Sequence, residues 1–274
     1  MVALAAYFDD AGTHDGSLLV NVSGVIASVP QWVDFSKAWK RKLDDLGLDF
    51  FRMADFVSGY GPYAGWTEPK KRQTLVSFVK IITKHARHLV GNAVFSNDFK
   101  TAYAEHPSPC IKTPYHLCAA MAMPAVGYWK LASSRREPVA LIFESGNKLF
   151  DEYFRLAQND FANDLAREAY GIKSLTLGKK KEMFPLQAAD IVAYGNYKCA
   201  TQKSIEPYLA DAYTLLWGIK NSGRVWSQED IGRILKSTID DLEKRSHLYT
   251  GMFRRKRKSE APNGNPTKDA RDNA

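Results

Sequence analysis

Three short stretches place carboxylates where an apolar chain does not readily accept them. "AAYFDDAG" near the start ends an apolar run in Asp9 and Asp10, "LIFESG" in mid-chain ends another in Glu144, and "PLQAADIVAY" sets Asp190 among apolar neighbours. Adjacent carboxylates repel each other, so a fold keeps them at a solvated rim or beside a cation. Asp190 is flanked by Ala188, Ala189, Ile191 and Val192. A lone acid in such a segment belongs at a rim, against a partner or on a metal. The chemistry open to this set is that of hard oxygen ligands for a bound cation.

The elements that must position these acids alternate between strand and helix. The opening apolar run reads as a buried strand closed by a turn at Gly12 and Thr13. Residues 17 to 28 form a second, partly alternating strand that can make a hairpin with it. Pro30 opens an amphipathic helix in which Trp32, Val33, Phe35, Trp39 and Leu43 recur near helical spacing, and Gly47 stops it. After the irregular "DFFRMADFVSGYGPYAGW" come a helix from about 68 to 89, a strand from Val90 and a helix over about 114 to 132. The strand from Pro138 to Gly146 carries Glu144, and a helix is predicted from about 149 to 170. "IKSLTLG" reads as a short strand, and a helix opens near Pro185 with Gln187, Asp190 and Tyr194 on one face. Residues 206 to 219 and 227 to 245 are predicted as further helices outside the sheet. In an open α/β sheet the carboxyl ends of adjacent parallel strands form a shared rim. The first strand is therefore expected beside the strand that ends in Glu144.

The chain has 274 residues, 45% apolar and 25% charged, which is material for one large α/β domain. No apolar run approaches the roughly 18 residues of a membrane span. The opening run lacks the early basic residues and length of a secretory signal, so a soluble, cytoplasmic protein is expected, with no membrane partner. Cys110, Cys118 and Cys199 have neither zinc-ligand nor redox spacing and read as small buried thiols in a reducing compartment. Half of the net charge of +8 sits after Phe253, where seven basic residues stand against three acids. That stretch, 253–274, is poor in apolar residues and is read as a disordered basic tail, either a solvated end or a nonspecific phosphate holder.

Taken together, "YFDDAG", "FRMADFVSGYGPYAGW" followed by a basic helix, "LIFESG" and "PLQAADIVAY" resemble the domain of unknown function 3800 family, over about residues 1 to 200. Arg52 stands where members often carry His, and Glu144 where Asp is common. The resemblance implies an α/β, ribonuclease H-like fold: a mixed central sheet flanked by helices, here with extra C-terminal helices, as one domain over 1–252 with helical insertions. It further implies a metal-dependent nuclease or related phosphoryl-transfer enzyme that hydrolyses nucleic-acid phosphodiesters with two Mg²⁺ or Mn²⁺ ions. Asp9, Glu144 and Asp190 are then the catalytic carboxylates and metal ligands, with Asp10 as a fourth ligand. The partner is nucleic acid, RNA or DNA. A non-catalytic binding module on the same fold is the alternative.

Other residues have two readings each. Asp10 reads as a cap of the turn with Gly12 in preference to a ligand, and Asp55 as a loop or cap acid. Lys180 and Lys181, with Lys179, precede the Asp190 helix and can face substrate phosphates or simply water, and Gln187 is a further candidate substrate contact. His85 and His88 fall at a basic helix end, and His14 in an exposed turn. Tyr60, Tyr63 and Trp66 can stack on unpaired bases or pack as a surface loop.

Overall fold

The computed structural model describes residues 3–146, 154, 168, 170–201 and 204–244. The helix predicted over 149 to 170 falls almost wholly outside these residues, and the basic tail lies entirely outside them. β1 (Leu4–Ala11) and β2 (Leu19–Ser28) form the antiparallel hairpin that their patterns predict, and β3 (His88–Phe95) continues it antiparallel to β2. On the other side of β1, β4 (Val139–Glu144) runs parallel to it, and β5 (Ile172–Gly178) runs parallel to β4. β6 (Asn221–Trp226) pairs parallel with β3, giving a six-stranded mixed sheet in the order β5-β4-β1-β2-β3-β6. The first strand and the Glu144 strand are thus neighbours, with their carboxyl ends on one rim.

Helices cover both faces. Among them, α1 (Val29–Leu46) follows directly from β2. Ser28 caps its start: the Ser28 hydroxyl accepts from the Gln31 N–H, and the Gln31 side chain reaches back to the Ser28 N–H. At its end Gly47 adopts φ 66°, a left-handed conformation that glycine takes without steric cost. α2 (Met53–Ser58), α3 (Glu68–His85), α4 (Ser96–Glu105), α5 (Pro114–Ala120) and α6 (Ala122–Ala132) follow before β4. α7 (Phe184–Ala200), α8 (Ala210–Trp217) and α9 (Gln228–Lys244) complete the chain as described.

Two cores result, one per face. On one face Trp32, Phe35, Trp39, Phe51, Phe78, Ile191 and Tyr213 are buried together. Each such side chain contributes about 1.5–3 kcal/mol by leaving water. Trp39 stacks on Phe35 and leans on Phe78, with ring centroids 4.9 and 4.4 Å apart. The other face is packed by Phe8, Phe99, Leu117, Val126, Phe143, Ile231 and Leu235. α7 lies across β1 and β2 on the first face, which brings Asp190 over the end of β1.

Four expectations are corrected. α3 stops at His85, so His88 opens β3 rather than sharing a helix with His85. The helix predicted over 114 to 132 is two helices divided at Met121, because Pro124 has no N–H with which to continue the ladder back to Ala120. Residues 221–226, left between two predicted helices, form an edge strand. Of the three thiols only Cys118 is buried, and Cys199 is exposed. Among the described residues no helix is long and apolar enough to cross a membrane.

Candidate functional site

Asp9 is the sixth residue of β1, one past the Phe8–Phe143 pair, so it stands level with Glu144 at the end of β4. Its side chain turns toward the α7 face, as does that of its β2 partner Ser23, which accepts from Asn196 of α7. Asp190 meets it from α7. The turn between β5 and α7 completes the group, because Lys180 folds inward from it. The Lys180 ammonium lies 2.7 Å from Asp9 Oδ2, 2.9 Å from Glu144 Oε2 and 3.3 Å from Asp190 Oδ2. Asp9, Asp190 and Lys180 are each less than a tenth exposed, while Glu144 is half-buried at the rim.

Backbone donors fix the acids. The Asp10 N–H donates to Asp9 Oδ1 at 2.8 Å, and the Met53 N–H, at the first residue of α2, donates to Asp190 Oδ2 at 2.7 Å. Asp9 Oδ2 is buried and receives no well-aligned hydrogen bond, despite the ammonium at 2.7 Å. Burial pushes the Asp9 carboxyl up to about 8; Lys180 opposes this, and Glu144 adds to it. Burial likewise raises Asp190 to about 6, against the pull of Lys180. Burial alone would lower Lys180, but Asp190, Asp9 and Glu144 together hold it above the ordinary lysine range. The lysine is therefore charged, and its single positive charge does not suffice to keep the buried Asp9 carboxyl ionised at neutral pH.

No family model matches the chain, and no curated protein is similar to it. Among solved structures, it is similar to a chain of the complex of PCNA with RNase HII from Archaeoglobus fulgidus. The two share 14% identity over 75% of this chain and 80% of that one, with a TM-score of 0.40. So slight a likeness places no residue.

Asp9, Glu144 and Asp190 come together; the other sequence candidates do not join them as expected. β1 runs through Asp9 and Asp10 with unbroken register to Ser23 and Val22, so the two side chains leave opposite faces. Asp10, expected as a fourth ligand, faces α5, where it meets Tyr115 and accepts from the Thr13 hydroxyl at 2.7 Å. It caps the turn. Lys180, expected to face substrate, is the buried counter-ion of the acids. Lys181 is exposed, with its ammonium 4.9 Å from the Phe50 ring centre.

Gln187, the third expected substrate contact, is fully buried. Its Oε1 accepts from Trp39 Nε1 at 2.8 Å and from the Phe51 N–H at 2.9 Å, and its Nε2 donates to the Lys180 carbonyl at 2.9 Å. Gln187 is thus a bracket joining α1, the approach to α2 and the Lys180 turn. His14 and Tyr60 are exposed, whereas Tyr63 is buried against Phe56 and Trp66 lies under the Lys70 ammonium. Asp55 pairs with Arg52 at 3.5 Å.

Among the described residues no three Asp, Glu, His or Cys side chains are gathered as a ready-made metal cage. The ammonium of Lys180 stands in the position that a cation shared by Asp9, Glu144 and Asp190 would take. The donor set is all carboxylate oxygen, which suits Mg²⁺ or Mn²⁺ rather than a softer metal. Asp9 Oδ2, buried beside the ammonium without a well-aligned hydrogen bond, is compatible with such an ion.

Proposed function

We propose that this chain is a divalent-metal-dependent nuclease with a ribonuclease H-like fold, a member of the domain of unknown function 3800 family. The observation that carries the reading is the convergence of Asp9, Glu144 and Asp190, from two parallel strand ends and a late helix, on one buried positive centre. An antiparallel three-strand meander continued by two parallel strands supports the fold assignment.

In this reading Asp9, Glu144 and Asp190 hold Mg²⁺ or Mn²⁺, which when bound supplies a Lewis acid for a phosphodiester oxygen and for water. The protein's own groups orient and neutralise. The Met53 N–H holds Asp190, the Asp10 N–H holds Asp9, and Lys180 keeps the three acids together. Hydrolysis forms one phosphorus–oxygen bond from water and breaks the one to the leaving sugar oxygen. One water proton ends on that oxygen, and the other is released from the new phosphate monoester. Lys179 and Lys181, exposed on the same turn, are in this reading the contacts for a phosphate backbone.

Asp190→Asn tests the reading, since it keeps shape and the bond from Met53 while removing charge. Cleavage of RNA, DNA or hybrid in Mg²⁺ or Mn²⁺ is expected to fall by at least 100-fold, with the metal-free melting temperature unchanged or slightly raised. A second reading, a non-catalytic nucleic-acid or protein binding module, is favoured by the way Lys180 already occupies the centre of the cluster. Under that reading the wild type cleaves none of the three substrates, no metal shifts its melt, and Asp190→Asn destabilises the fold.

A further inference from the structure

We infer that Lys180 is itself one of the two positive centres of this site, so that a single divalent ion, rather than a pair, completes it. The inference rests on the metal-dependent reading above. Two ions about 3.5–4 Å apart need carboxylates that bridge them. Here the bridging position is taken: the Lys180 ammonium touches one oxygen each of Asp9, Glu144 and Asp190, at 2.7, 2.9 and 3.3 Å.

Charge counting agrees. With all three acids ionised, as ligation of a metal requires, three carboxylates and one ammonium leave two formal negative charges, which one divalent ion cancels; two ions beside the lysine would reverse the sign of a buried site. Exchanging the lysine for an ion is opposed by the turn that carries it. The Lys180 carbonyl is held by Gln187 Nε2, whose own Oε1 is fixed by Trp39 and Phe51. The Glu182 and Met183 N–H groups both close back on the Lys179 carbonyl, at 2.9 and 3.0 Å. The Lys180 side chain itself is 9% exposed, so withdrawing it would empty a packed position. The most accessible carboxylate of the group is Glu144, whose side chain is 24% exposed against 2% for Asp9 and 12% for Asp190, so an incoming ion would approach from that side.

Such a site divides the work between unlike cations. The ion would face the scissile phosphate, while the ammonium, with an acid at each of its three N–H donors, would hold the carboxylates in place.

The test is a count of bound Mn²⁺ on the full chain, by calorimetry and by electron paramagnetic resonance. The wild type and Lys180→Arg should each bind one ion, with the spectrum of an isolated Mn²⁺. Lys180→Met should bind two, with a spin-coupled spectrum, because the vacated position becomes available. Two coupled ions in the wild type would overturn the inference, and so would a single ion in Lys180→Met held 10-fold more tightly than in the wild type, which would make the lysine a mere competitor. If Lys180→Met does not fold, the counts for the wild type and Lys180→Arg decide. One ion without cleavage would remove the nuclease reading and leave this inference standing; cleavage with two ions would do the reverse. No binding at all would end both.

Discussion

Single residues set the pH response of the site. Asp9 at about 8 and Asp190 at about 6 both titrate above the ordinary carboxylate value of 3.8. A group whose folded pKa is raised favours the fold fully below its unfolded value and loses that contribution as pH rises through the folded one. The metal-free protein should therefore melt several degrees lower at pH 9 than at pH 5. Saturating Mn²⁺, which binds the ionised acids, should flatten or reverse that slope, and thermal melts across this range check both. A metal-free melting temperature that climbs over the same interval would mean that the acids are already fully ionised on Lys180. At this scale the sequence was partly legible. An acid at the end of each of two apolar runs, and one inside an apolar helix, mark Asp9, Glu144 and Asp190 because burial of charge is costly wherever it occurs. Nothing in "GKKKE" tells which of three identical lysines turns inward; that choice is made by the turn geometry and by the carbonyl that Gln187 holds. Asp10 could not be sorted from Asp9 either, because period-two alternation separates them only once the strand is known to continue past both.

At the scale of elements, Gln187 connects its own neighbouring Lys180 turn to α1 and the approach to α2, more than 130 residues away in sequence. Gln187→Leu would leave Trp39 Nε1, the Phe51 N–H and the Lys180 carbonyl without partners in a dry interior. A loss of about 3 kcal/mol is expected from the unsatisfied groups, measured by denaturant unfolding. Weaker Mn²⁺ binding should accompany it in the fraction that folds, as the Lys180 turn loosens. An unchanged stability would mean that water replaces the amide. The elements themselves were legible where one face is buried and the ends are capped. α1 shows this in full, with Ser28 and Gln31 at one end, Gly47 at the other and buried aromatics between. β6 shows the opposite case. Its sequence, "NSGRVW", is exposed at all but its last position, so it has no apolar alternation to read; its hydrogen bonds to β3 make it a strand. The division between α5 and α6 was missed for a different reason: apolar periodicity continues through Met121 although the backbone ladder does not.

Across the whole molecule, charge is unevenly distributed. The stretch after Phe253 holds +4 of the +8 and almost no apolar side chains, so truncation before Arg254 should leave the melting temperature unchanged while weakening nucleic-acid binding in a salt-dependent way. A drop of several degrees would show that the tail docks on the body. The sheet order has its own effect on the chain as it is made. β1 finds its antiparallel partner β2 within a few residues, but its parallel partner begins only at Val139. Closing so long a loop is slow relative to forming the hairpin. Until β4 is synthesised, one edge of β1 stays bare, an apolar template for pairing with other nascent chains. Within that strand the charges are Asp9 and Asp10 alone. In the unfinished, solvated chain both are ionised, and like charges meeting edge to edge repel. The carboxylates that strain the finished fold would thus guard the unfinished one against self-association.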